Sequence, residues 1–259
     1  MSDVILRAEH LGISFGGLKA VNDFNLELRE GELVGLIGPN GAGKTTVFNL
    51  LTGVYKPTEG DYYIGETKMN GKPAHAMVEA GVARTFQNIR LFSNMTVIEN
   101  VLVARDRKFG YKLFSAFTHP KSFWKQEAQE KERAMELLKV VGLEDKADTV
   151  AANLPYGQQR KLEIARALAT DMKVLMLDEP AAGMNPTETA ELLEIINLIR
   201  DRFGISILLI EHDMSLVMKI CERITVLDYG NIIASGSPEE IAHNKYVIEA
   251  YLGKDDEEE

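Results

Sequence analysis

The residues GPNGAGKTT at 38–46 fit the pattern G-x-x-x-x-G-K-[ST]. They follow an apolar run, ELVGLIG, and lead into a helical pattern, KTTVFNLLTGV. Glycine at 38, 41 and 43 lets backbone N–H groups turn inward around phosphate oxygens with no Cβ in the way. The N-terminus of the following helix adds partial positive charge to the same anion. Lys44 supplies a full charge for β- and γ-phosphates, and the Thr45 hydroxyl suits Mg²⁺. The whole loop, Gly38, Pro39, Asn40, Gly41, Ala42, Gly43, Lys44, Thr45 and Thr46, is expected to line the bound phosphates.

Asp178 and Glu179 follow the apolar run at 174–177. An acid pair at the C-terminal edge of a buried parallel strand faces the crevice where such sheets bind ligands. Asp178 is expected to hold Mg²⁺ through its water shell, and Glu179 to polarise the attacking water as general base. Gln87 closes the strand-like GVARTFQ, and His212 closes ISILLIEH. A single polar residue at such a place is ordinarily a satisfied strand end. As a set, these positions offer an anion cradle, metal ligands, a base and a γ-phosphate contact, the parts of a phosphoryl-transfer site.

Buried strands must position these groups. LGISF and FNLELRE alternate apolar and polar residues as strands do, and ELVGLIG, KVLMLDEP and ISILLIEHD read as buried strands. Helices are expected in KTTVFNLLTGV, from Thr96 with Glu99 as a capping box, in KQEAQEKERAMELLKVV, in GQQRKLEIARALA, and from Asn185-Pro186. RITVLDYGNIIASG reads as a hairpin turning at Tyr229-Gly230-Asn231, and Ser237 with Glu240 caps a further helix. The alternation implies an α/β fold with a mostly parallel sheet and helices on both faces. Residues 89–154 read as a helical insertion between two strand-containing parts. In it, 109–124 is aromatic and irregular, with Pro120 preventing one continuous helix. That stretch would pack in the helical part or dock against a membrane partner.

The 259 residues, 45% hydrophobic, are ample for one sizeable core with a subdomain. A net charge of −10 argues against non-specific nucleic-acid binding. The KDDEEE terminus reads as a solvated acidic tail at 253–259. One cysteine, Cys221, gives no intrachain disulfide and suits a reducing compartment. No secretory signal is apparent, and no apolar run approaches the ~18 residues that span a bilayer.

With these motifs in order, the chain resembles the ATP-binding-cassette (ABC) ATPases along nearly its whole length. GPNGAGKTT looks like their Walker A, VLMLDEP like their Walker B with its catalytic glutamate, Gln87 like their Q-loop glutamine and His212 like their switch histidine. Phe15 stands where the family has an aromatic that stacks on adenine, although one aromatic is also an ordinary strand core residue. The resemblance implies a P-loop NTPase core at 1–88 and 155–252, with an N-terminal antiparallel β region. It also implies an inserted α-helical subdomain at 89–154, ATP and Mg²⁺ as ligands, and Gln87 beside Thr45 and Asp178 at the metal. It further implies head-to-tail dimers in which each ATP lies between one subunit's phosphate loop and the other's signature.

FGGLKAV, RTFQNIRLF, MTVIENVLVA, YGQQRKLEIARALA, DEPAAGMNP, LLIEHDM and EAYLG together resemble the LivG-type ATPases of branched-chain amino-acid importers. That type works with a second ATPase subunit, two membrane permeases and a solute-binding protein. Attachment to the cytoplasmic face of the membrane follows from that resemblance. A urea, amide, other amino-acid or lipopolysaccharide system is the neighbouring reading. A soluble ABC factor or a non-hydrolysing regulatory subunit stands further off.

The signature departs from the family's LSGGQ and reads LPYGQ. Pro155 has neither hydroxyl nor N–H to donate, and Tyr156 adds bulk, while Gly157 and Gln158 remain. Asn185 stands where an aspartate is frequent and keeps the capping role without the charge. These changes alter the surface offered to a partner's ATP, not the groups this chain gives its own. They imply an asymmetric heterodimer, with a homodimer as the alternative.

Overall fold

The computed structural model describes residues 3–105 and 121–252, with backbone alone at 121–125 and 252. The acidic tail and most of the aromatic stretch at 109–124 lie outside the described residues. The chain divides into two compact units. The first contains Met1–Arg84, Lys173–Pro180 and Arg200–Glu259; the second contains Thr85–Met172 and Ala181–Ile199.

The first unit is built on two sheets. Strands β1 (Val4–Phe15) and β2 (Leu18–Arg29) form an antiparallel pair. β4 (Glu59–Ile64) adds to the other side of β1, and short β5 (Thr67–Lys68) completes the order β2-β1-β4-β5. The second sheet has six strands: β3 (Leu33–Ile37), β6 (Val82–Arg84), β7 (Val174–Asp178), β8 (Ser206–Ile210), β9 (Arg223–Asp228) and β10 (Asn231–Gly236). Their order is β10-β9-β3-β8-β7-β6, parallel throughout except for β10 against β9. Every residue of β3, β7 and β8 is buried, which is why these strands read as unbroken apolar runs. Helix α1 (Lys44–Leu51) buries Val47, Phe48, Leu50 and Leu51. One core draws on both sheets and α1: Leu6, Leu11, Phe24, Leu36, Phe48 and Leu208 all belong to it. α2 (Ala74–Glu79) contributes Met77.

The second unit is helical. α3 (Val97–Arg105) opens with the expected box, Thr96 N–H donating to Glu99 and Glu99 N–H to the Thr96 hydroxyl. α4 (Lys121–Val140) and α5 (Tyr156–Leu168) pack with it. α6 (Pro186–Phe203) starts with reciprocal bonds between Asn185 and Glu188, and its last turn, from Arg200, belongs to the first unit. α7 (Met214–Ile220), α8 (Pro238–Ala242) and α9 (Lys245–Leu252) complete the first unit. Ser237 and Glu240 form the expected capping box on α8. The β9–β10 turn is Tyr229-Gly230, both at positive φ, as a tight two-residue hairpin of this twist demands. Among the described residues no helix is long and apolar enough to cross a membrane.

Candidate functional site

The loop at 38–43 leaves β3 and enters α1 in a conformation that glycine makes possible. Gly38 has φ +152, and a Cβ there would sit 2.0 Å from the Leu227 carbonyl oxygen. Gly43 has φ +105, and a Cβ would meet the Ala20 carbonyl oxygen at 2.9 Å. The hairpin turn fastens the loop: Gly230 N–H donates to the Ala42 carbonyl at 2.9 Å, and Asn22 N–H to the Gly230 carbonyl at 2.9 Å. Gly43 caps α1 without a side chain, so the helix presents its first N–H groups to an outside acceptor. Pro39, Asn40, Gly41 and Ala42 also line a cleft of about 620 Å³ with Tyr229 and Tyr246.

Lys44 is buried, and its ammonium donates to the carbonyls of Gly38 at 2.6 Å and Pro39 at 2.9 Å. Burial holds its pKa below the ordinary lysine value, partly offset by the nearby charges of Glu179 and Asp178. A desolvated cation beside two carboxylates and a helix N-terminus favours a polyanion that brings its own metal. Thr45 is exposed and Thr46 half-buried at the start of α1.

Asp178 ends β7 and is buried. Its Oδ2 accepts from Arg84 Nη2 at 2.7 Å, a pair whose side chains are 8% and 9% exposed. Arg84 also donates from Nη1 to Asn49 at 2.7 Å and to the Thr52 hydroxyl at 3.2 Å, and lies over the Phe48 ring at 5.5 Å. This arginine therefore ties the acid on β7 to three residues in and after α1. Glu179 follows at φ +45, with its N–H donating to the Ile210 carbonyl at 2.9 Å. That bond brings the end of β8 alongside. His212 Nδ1 stands 3.8 Å from Glu179 Oε2 and 3.7 Å from Glu211 Oε2, within ion-pair range of both. Lys44, Asp178, Glu179 and His212 are thus assembled at strand ends of one unit. Phe15, at the end of β1, is 45% exposed and stands edge-on to Tyr55 with ring centres 5.3 Å apart.

Gln87 and the signature lie in the second unit. The strand before Gln87 ends at Arg84, three residues earlier than GVARTFQ suggests. Gln87 has its carbonyl bonded by Arg160 Nη2 at 2.8 Å. Pro155 is the N-cap of α5 in an extended conformation, and Tyr156 is the first helical residue. A Cβ on Gly183 would touch the Tyr156 ring at 3.4 Å, so the ring lies along the loop before α6. Gly157 allows a close approach there too, since a Cβ would fall 2.8 Å from Glu188 Oε1. Gln158 has a buried side-chain oxygen without a hydrogen-bond partner. Sequence reasoning missed Arg84, Glu211, Tyr55 and the Arg160–Glu163 pair. The one available signal was a charged residue inside an apolar run, as in GVARTFQ.

Comparison with known proteins follows the same lines. The ABC transporter family matches residues 21–182, and the branched-chain amino acid ATP-binding cassette transporter family matches residues 231–257. The chain is 52% identical over 254 residues to the Salmonella typhimurium protein named high-affinity branched-chain amino acid transport ATP-binding protein LivG, covering 98% of this chain and 100% of that one. The crystal structure of the ADP conformation of MJ1267, an ATP-binding cassette of an ABC transporter, is 31% identical with a TM-score of 0.83, covering 97% of this chain and 99% of that one. The dimeric structure of MJ0796, a bacterial ABC transporter cassette, is 25% identical with a TM-score of 0.74, covering 90% and 98%.

Proposed function

The chain belongs to the ATP-binding subunits of ABC transporters, and from that premise we propose that it energises import of branched-chain amino acids by hydrolysing ATP at the cytoplasmic face of the membrane. The observation that carries this reading is the 52% identity that runs the full length of a LivG protein. The match at 231–257 to the branched-chain amino acid cassette family favours this solute class over urea, amide or lipopolysaccharide systems.

Each residue then has a task. Loop N–H groups and the α1 N-terminus hold the β- and γ-phosphates, and Lys44 exchanges its two carbonyl acceptors for phosphate oxygens. The Thr45 hydroxyl, the Gln87 amide oxygen and, through water, the Asp178 carboxylate are hard oxygen donors of the kind Mg²⁺ takes. Bound there, Mg²⁺ would neutralise charge on the phosphate oxygens. Glu179 takes the proton of the attacking water, and His212, beside Glu179, contacts the γ-phosphate. Phe15 stacks on adenine. Residues 1–88 and 155–252 act as the catalytic core and 89–154 as the helical subdomain.

The partners follow from the same reading: a second ABC ATPase, two membrane permeases and, through them, a solute-binding protein, with no nucleic acid. Pro155, Tyr156, Gly157 and Gln158 face the partner's ATP. Pro155 has no donor to offer it, and the Tyr156 ring is packed along the loop at Gly183. The site built on Lys44 and Glu179 is therefore the faster of two unequal sites in a heterodimer. Mild-detergent purification of the native complex tests the assembly. It should yield two membrane proteins and a second ATPase; recovery with ribosomes or DNA would refute it.

A further inference from the structure

β6 ends at Arg84, so the peptide groups of Phe86 and Gln87 lie beyond the strand ladder. Backbone groups that leave a sheet ladder must find partners in side chains, other backbone or water. One buried ion pair on α5 supplies three of them. Arg160, wholly buried, donates from Nη1 to the Phe86 carbonyl at 2.7 Å and from Nη2 to the Gln87 carbonyl at 2.8 Å. Its partner Glu163, 2.7 Å away, accepts from the Phe86 N–H at 3.3 Å. Arg160 Nη2 also donates to the Tyr156 hydroxyl at 3.5 Å. A planar guanidinium can serve two carbonyls and a carboxylate at once, which a lysine ammonium on its flexible stem does not match.

Stability alone is a poor account of this arrangement. Burial pushes the Glu163 carboxyl up, opposed by Arg160, and apolar residues of similar volume commonly replace a buried pair without loss. What an apolar pair could not do is hold three backbone groups of two consecutive residues in one orientation.

We propose that Arg160, paired with Glu163, is a positioning residue. It clasps the Phe86–Gln87 backbone to α5, so that Gln87 and the Pro155–Gln158 segment move as one body through the ATPase cycle. A displacement of Gln87 is thereby passed to the surface this chain offers to another subunit. The proposal rests on the ABC ATPase reading for the roles of these two segments.

The test compares wild type, Arg160→Met, and the doubly neutral Arg160→Met/Glu163→Gln in the assembled complex. The single variant strands a buried carboxylate and is expected to fold poorly; the double variant removes that charge and should melt clearly above the single one. In the double variant, amide exchange at 85–88 should accelerate at least about tenfold, with exchange at 174–178 unchanged. Nucleotide-dependent exchange at 85–88 and 155–159 should no longer change together. The kcat for ATP should fall about tenfold with KM unchanged, the mark of an interaction made in the transition state. Wild-type exchange at 85–88 in the double variant, or wild-type kcat despite faster exchange there, would overturn the proposal. A wild-type complex that turns over no ATP would instead overturn the ATPase reading, while nucleotide-free exchange would still decide whether the clasp exists.

Discussion

Replacing Arg84 with methionine should destabilise the nucleotide-free chain severely, although Arg84 has no assigned role in nucleotide binding. Its guanidinium and the Asp178 carboxylate are both about nine-tenths buried and 2.7 Å apart. Methionine fills similar space but leaves the buried Asp178 without its ion-pair partner and Asn49 and Thr52 without that donor. Removing one member of a buried pair costs about 3–5 kcal/mol. At roughly 3 °C per kcal/mol for a chain of this size, the thermal midpoint should fall by about 10 °C. Adding Asp178→Asn to the same chain removes the stranded charge and should recover more than half of that loss. Asp178→Asn alone should be milder, because the amide oxygen still accepts from Arg84. Thermal unfolding followed by circular dichroism on the full-length variants provides the measurement. The reasoning fails if Arg84→Met lowers the midpoint by less than about 2 °C, or if the double variant melts no higher than the single one.

Other outcomes follow from the same geometry. Lys44 is held below its ordinary pKa by burial, so the unfolded chain binds that proton more tightly than the folded one. The resulting penalty is present below the folded pKa and lifts as pH rises through it toward the unfolded value. Lys44→Met should therefore flatten the rise in nucleotide-free stability that wild type shows as pH climbs toward the unfolded lysine value, and weaken ATP binding at least about a hundredfold, by thermal unfolding across pH and a fluorescent-nucleotide titration. Restoring donors and room in the signature with Pro155→Ser/Tyr156→Gly should speed the slower site about tenfold, measured in a complex whose faster site carries Glu179→Gln. The Cys221 thiol is buried and pushed up to about 12, so a maleimide should label it only after denaturant is added.

The parts of the fold that local chemistry dictates were readable in the sequence. A glycine loop between an apolar strand and a helix, acids at the end of β7, and the boxes at Thr96 and Ser237 all depend on neighbours within a few residues. β4 and β5 went unread because EGDYYI and TK carry little apolar alternation; β4 depends on pairing with β1, some fifty residues earlier in the chain, and β5 on pairing with β4. Arg84 and Arg160 went unread for a different reason. A long charged side chain is ordinarily solvated, and only tertiary partners show that these two are buried ion-pair members. Gln87 could be picked out as a polar residue past a strand, but the end of that strand at Arg84 and the clasp beyond it are properties of packing.

ATP-driven uptake of leucine, isoleucine and valine by the purified complex in proteoliposomes tests the central claim most directly. The account predicts uptake that requires ATP inside the compartment facing this chain and that is nearly abolished by Glu179→Gln, with nucleotide still bound. ATP hydrolysis that drives a different solute and none of these three would contradict it, as would uptake that persists with Glu179→Gln.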